Sequence, residues 1–176
     1  MTFKEYKESV TDSFNKTAGN YGLLRLMYET ATLLEKFKYF RNEKQLIKSD
    51  LGDLFFRMLS LMDEFGFDLD DKPFDIERYK AEATLLDKQF DITEDSILAN
   101  FMFELGIMSN IVSDNIKYEV LELSDGDKLR IKQSIYSYLL QLLLISCKEG
   151  LDVETILAFS ISKLKAKKKA LNFRAE

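Results

Sequence analysis

A helical period runs along nearly the whole chain, and almost nothing alternates as a strand would. Apolar residues return every three or four positions, and one proline, Pro73, is the only residue in 176 that must break a helix. With seven glycines besides, long helices are left uninterrupted, so the expectation is an all-α protein. The first helix is expected over 2–15, followed by a break at 16–20 with Gly19 as its C-cap. Further helices are expected over 21–39, 44–64, 74–89, 93–122, 126–149 and 153–172. The turn Ser124-Asp125-Gly126-Asp127 separates two of them, and Gly150 closes another. Leu139, Leu140, Leu142, Leu143, Leu144 and Ile145 are too continuous for one core face, which predicts burial on more than one side.

Composition removes several functions. Hydrophobic residues make up 46% and charged residues 31%, a balance that supports a packed core and argues against disorder. The apolar run Tyr138 to Cys147 is interrupted by Gln141 and Ser146 and is too short to span a bilayer, so no membrane is expected. The opening Met1-Thr2-Phe3-Lys4-Glu5 lacks the apolar segment of a signal peptide, and a cytoplasmic location is expected. One cysteine, Cys147, cannot form an internal disulfide, and its apolar helix predicts an inert buried thiol. Without histidine, the common zinc sites and the Ser-His and Cys-His catalytic designs are excluded. Any chemistry falls to carboxylates and a hard cation.

The net charge of −5 conceals a polarity along the chain. From Lys163 onward there are six basic residues against one acid, which leaves 19 basic and 29 acidic groups before it. Such a body repels nucleic acid, so none is expected as a partner. The basic end suits a solvated helix C-terminus, and it also suits a phosphate.

Weak internal repetition accompanies the helices. Phe3-Lys4-Glu5-Tyr6-Lys7 resembles Ile76-Glu77-Arg78-Tyr79-Lys80, and Leu26-Met27-Tyr28-Glu29 resembles Phe101-Met102-Phe103-Glu104. Glu64-Phe65-Gly66-Phe67-Asp68 resembles Glu149-Gly150-Leu151-Asp152 with glycine and aspartate in step. The acidic, proline-bearing stretch Asp68 to Pro73 is the candidate boundary, giving modules over 1–72 and 73–176.

Asp50 and Asp53 lie three apart, so one helix face carries both carboxylates about a turn apart. Glu29 is on the preceding helix, where antiparallel packing can bring it opposite the pair. Three converging carboxylates repel one another unless a cation joins them, and oxygen-only ligation suits Mg²⁺ or Mn²⁺. Alternatively, all three are solvated surface acids. Arg57, four residues beyond Asp53, can meet a phosphate or pair with that aspartate. Lys167, Lys168, Lys169 and Arg174 can close over a phosphate chain if the last helix folds back. Phe37, Tyr39, Phe40 and Arg41 can stack a base or serve as core, and Lys36, Lys38 and Lys44 read as solvated.

The segment Tyr21 to Glu35, then Ser49-Asp50-Leu51-Gly52-Asp53-Leu54-Phe55, then Glu64-Phe65-Gly66-Phe67-Asp68-Leu69, resembles the MazG-like all-α nucleoside triphosphate pyrophosphohydrolases. The family's pattern is Glu-Glu-x-x-Glu on one helix, Glu-Leu-Gly-Asp on the next, and a closing Gly-hydrophobic-Asp step. The resemblance implies a four-helix module holding Mg²⁺ or Mn²⁺ on Glu29, Asp50 and Asp53. It also implies hydrolysis of a nucleoside triphosphate to the monophosphate and pyrophosphate, for which Arg57, Lys168 and Arg174, by their positions, are the expected substrate-binding residues. Two such modules in one chain imply a tandem packed as an intramolecular pseudo-dimer. Glu29 and Asp53 match the pattern outright, whereas Tyr28, Thr32 and Asp50 stand where the family has glutamates. In the second half Glu104 is retained, but Ile107, Ser134 and Ser137 occupy the other positions, so that module is expected to be catalytically empty. The substitutions keep an alternative open: a non-catalytic MazG-like protein that binds a nucleotide or a protein partner. Homodimer formation is left open as well.

Overall fold

The computed structural model describes residues 3–10, 19–40, 42–67, 76–90, 92–117 and 123–172. Within them the regular structure is wholly helical: α1 (Phe3–Val10), α2 (Gly19–Tyr39), α3 (Lys44–Glu64), α4 (Ile76–Phe90), α5 (Glu94–Lys117), α6 (Asp125–Lys148) and α7 (Val153–Asn172). The all-α expectation holds. Gly19 opens α2 instead of capping the helix before it, because glycine tolerates either end and only the packed neighbours decide. The expected module boundary at Asp68 to Pro73 lies outside the described residues.

Two long hairpins form the centre. The ion pairs Lys36–Asp50 and Arg57–Glu29 set α2 antiparallel to α3. Helices α5 and α6 form the second hairpin, joined through Phe101 against Tyr138, whose rings meet edge to face at 4.7 Å. Contacts of α2 with α5 and of α3 with α6 bring the hairpins together. Lys38–Asp95 and the Ser109 hydroxyl donating to the Met27 sulfur show that α2 and α5 are antiparallel. Around this square of helices, α1 and α7 pack on α3, and α4 packs on α6.

The hairpins match one another in detail. Helix α3 ends with Phe65 N–H donating to Leu61 C=O, Gly66 N–H to Asp63 C=O and Phe67 N–H to Met62 C=O. Helix α6 repeats these three bonds 84 positions on, from Glu149, Gly150 and Leu151 to Ile145, Cys147 and Ser146. Gly66 and Gly150 both take positive φ, 69° and 63°, where a side chain would be strained. The same step of 84 pairs the buried residues Ile47 with Ile131, Leu51 with Ile135, Leu54 with Tyr138, Phe55 with Leu139 and Met58 with Leu142. A step of 75 pairs Leu26 with Phe101, Thr30 with Leu105 and Leu33 with Met108 along α2 and α5, and all six are buried.

Helix α6 touches α3, α4 and α5, which accounts for its continuous apolar run. Two of its buried polar groups are paired, Ser146 donating to Leu142 C=O at 2.8 Å and Tyr138 meeting Thr30 across the core at 2.5 Å, whereas among the described residues Gln141 Oε1 is buried without a hydrogen-bond partner. Thr30 gives its own proton to Leu26 C=O, so the tyrosine is the donor. Helix α5 differs from the sequence reading. Over Glu94–Asp114 it is long and apolar enough, by length and composition, to cross a membrane, yet only 33% of its most apolar window is buried.

Candidate functional site

One face of α3 carries Ser49, Asp50, Asp53 and Arg57, as spacings of three and four residues require. Each acid on or opposite this face is met by a base. Lys36 of α2 lies 2.7 Å from Asp50. Glu29, also on α2, is held between Arg25, 2.9 Å away and one turn earlier, and Arg57 across the helix pair at 3.3 Å. Lys163 of α7 reaches Asp53 at 2.5 Å and donates to the Ser49 hydroxyl at 2.9 Å. The Glu29 and Asp50 side chains are only 16% and 17% exposed, so water competes little for these contacts; Asp53, at 36%, is the open member.

The approach of α7 depends on Gly52, between the two aspartates. A Cβ there would stand 3.1 Å from Ser160 Cβ and 3.5 Å from Ile156 C=O, so glycine lets the helices meet at a distance where a methyl group would crowd Ser160. Ser160, buried, donates to Gly52 C=O at 3.1 Å and accepts from the Tyr6 hydroxyl at 2.7 Å. One hydroxyl thereby ties α1, α3 and α7 together and sets Lys163 over Asp53. Burial raises the Tyr6 phenol well above its usual range, the Ser160 bond opposes that rise, and the Asp53 charge adds to it.

Glu29, Asp50 and Asp53 therefore lie on one face of the α2–α3 pair, and Arg57 belongs to the same face. Oxygen donors alone suit Mg²⁺ or Mn²⁺. In this structure each carboxylate is paired with a lysine or arginine, and among the described residues no three acid or thiol groups gather as a metal-holding cluster. Lys168 is exposed on α7, and five residues of helix turn it about 140° from Lys163; Lys167 continues the Lys163 side. Arg174 and Arg41 lie outside the described residues. Eighty-four positions on from Asp50 and Asp53, α6 has Ser134, buried, and Ser137, half-buried, and no acid stands at either position.

Several sequence readings are corrected. Lys36 and Lys44 are not simply solvated: Lys36 pairs with Asp50 and Lys44 donates to Glu149 C=O at 2.8 Å, whereas Lys38 is exposed and meets only the exposed Asp95 at 3.6 Å. Their partners are on other helices, beyond what local spacing can reveal. Phe37 is core, whereas Tyr39 and Phe40 are exposed. Cys147 is half-buried, and it lines an open cleft of about 720 Å³ together with Lys38, Asp87, Thr93, Asp95 and Lys148. The thiol escapes full burial because it faces α4, where Thr84 is 3.9 Å away.

The fold and site define an all-helical bundle whose main polar face is a set of paired acids and bases. The chain matches no family model, no curated protein and no solved structure.

Proposed function

We propose that the chain is a tandem of two MazG-like modules, over 1–72 and 73–176, packed as an intramolecular pseudo-dimer that binds a nucleotide phosphate without hydrolysing it. The observation that carries this reading is the private pairing of Glu29, Asp50 and Asp53 with Arg57, Lys36 and Lys163. Ammonium and guanidinium groups supply the positive charge that carboxylates on such a face would otherwise draw from a divalent ion. The matched hydrogen bonds closing α3 and α6, and the matched buried positions along both hairpins, support the tandem. An anionic ligand would compete with Asp53 for Lys163, the most exposed of these pairs, and draw on Arg57 and Lys36 behind it.

A second reading, a divergent Mg²⁺-dependent pyrophosphohydrolase of the cytoplasm, is favoured by one feature. Asp50 and Asp53 share a face of α3, and Glu29 lies across from it on α2, as the resemblance implies. Pyrophosphate release from a panel of ribo- and deoxyribonucleoside triphosphates, with Mg²⁺ or Mn²⁺, separates the two. The binding reading expects no turnover but a rise in melting temperature with nucleotide alone, because a ligand held by the native state must stabilise it. Turnover that disappears in Asp53→Asn would establish the hydrolase instead.

A further inference from the structure

In the square of central helices, α3 is covered by α1 and α7 and α6 by α4, while the outer side of α2 and α5 carries large exposed apolar residues. Leu24 and Tyr28, one turn apart on α2, are 65% and 72% exposed; Met102 and Phe103 on α5 are 56% and 64% exposed. Ala31, Ala99 and Gly106 lie between them and are also exposed, so small residues flatten the surface. Helix α5 thus carries an outward apolar patch in addition to its core face, flanked along the helix by exposed Asp95, Asn110 and Asp114. Ile97, Phe101, Leu105, Met108 and Ile111 fill the core, and among the described residues no helix is packed over the outward face.

We infer that this α2–α5 face is the seat of a second copy of the same chain. Its two halves are equivalent: the 75-residue step that matches the cores of α2 and α5 also carries Tyr28 onto Phe103 and Met27 onto Met102. Antiparallel α2 and α5 present these equivalents in opposite directions, so the face has an approximate twofold of its own, and a second copy related by a twofold axis can meet it with the same patch. Four large side chains at such exposure offer roughly 450 Å² per copy, about 900 Å² for a pair, before small residues are counted. Exposed Ala31, Ala99 and Gly106 add to this area, which is to be set against the ~1,200 Å² at which standard-size interfaces begin. A lipid surface fits less well, because every charged residue of α5 before Lys117 is acidic: Glu94, Asp95, Glu104 and Asp114. The inference is independent of whether the α3 face binds a nucleotide.

Sedimentation velocity at tens of micromolar protein tests it, with Tyr28→Glu and Phe103→Glu as separate variants and Phe103→Leu as the apolar control. The wild type and the control should sediment at twice the 20.5 kDa chain mass, and each glutamate variant at the single-chain mass with unchanged helical circular dichroism. If one glutamate variant loses its helical signal, the other reads the same face from a different helix. A monomeric wild type would overturn the inference, as would a dimer that survives both glutamates. So would a chain that stays monomeric and sediments only with phosphatidylserine-containing vesicles.

Discussion

Gly52 shows how one atom decides where a functional face is closed. Alanine would gain up to about 1 kcal/mol of helix propensity over glycine. Against that, the new Cβ would meet Ser160 Cβ at 3.1 Å and the Ile156 backbone near it, and neither is the free end of a flexible side chain. Overpacking of this kind costs about 1–3 kcal/mol, so Gly52→Ala is expected to lower stability by about 1 kcal/mol in urea unfolding. Gly106→Ala is the control. It is an exposed helical position with nothing within 4 Å, and propensity alone should raise stability by up to about 1 kcal/mol in dilute solution. The tyrosine buried in the centre makes a second test. Burial lifts Tyr138 far above its ordinary value of 10.0; the Thr30 bond lowers it in part, and the Glu29 charge raises it again. The sign follows from linkage: above about pH 10 the unfolded chain ionises this phenol and the folded chain keeps its proton, so stability falls as pH rises. Each such tyrosine contributes about 1.4 kcal/mol per pH unit there, and Tyr6 behaves alike. Unfolding measured through the alkaline range should show a shallower loss in Tyr138→Phe than in the wild type.

At the scale of elements, α3 and α7 were legible to the residue, because their apolar spacing is long and their ends carry Glu64-Phe65-Gly66 and Asp152 signals. Asp152 accepts from Thr155 N–H at 2.9 Å, an N-cap bond that spacing alone foretells. The sequence also places Glu29, Asp50 and Asp53 on facing helices, since hairpin packing of α2 on α3 needs only a short connection. What it hides is the set of bases. Lys163 is 110 positions from Asp53, and it arrives only because Gly52 and Ser160 bring α7 back. Lys36 reads as surface charge until the antiparallel register of α2 is known. The exposed face of α5 is equally hidden, because periodicity finds one apolar stripe and does not ask whether a second is left over. The matched ends of α3 and α6 offer a test of their equivalence. Gly66→Ala and Gly150→Ala each force a side chain into positive φ at the same step of the same hydrogen-bond pattern. Each should cost about 1 kcal/mol, with closely similar values in chemical unfolding.

For the whole molecule, the question is what balances the charge of the α2–α3 face. Removing a lysine leaves its carboxylate half-buried and without compensation, which destabilises the fold unless another cation takes the place. Lys36→Met with Lys163→Met would release Asp50 and Asp53 together, while Glu29 stays with Arg25 and Arg57. Both lysines are partly buried on their stems, and methionine keeps that packing while discarding the charge. In the wild type, where the bases already neutralise the acids, millimolar Mg²⁺ should leave the melting temperature unchanged. The double variant should melt lower in the absence of metal and recover part of the loss when Mg²⁺ is added, since a cation bound by the folded state alone raises its stability. The hydrolase reading expects the opposite order, with the wild type stabilised by Mg²⁺. Scanning calorimetry of the two proteins, with and without the ion, decides whether this face is neutralised by the chain's own side chains or by a metal drawn from solution.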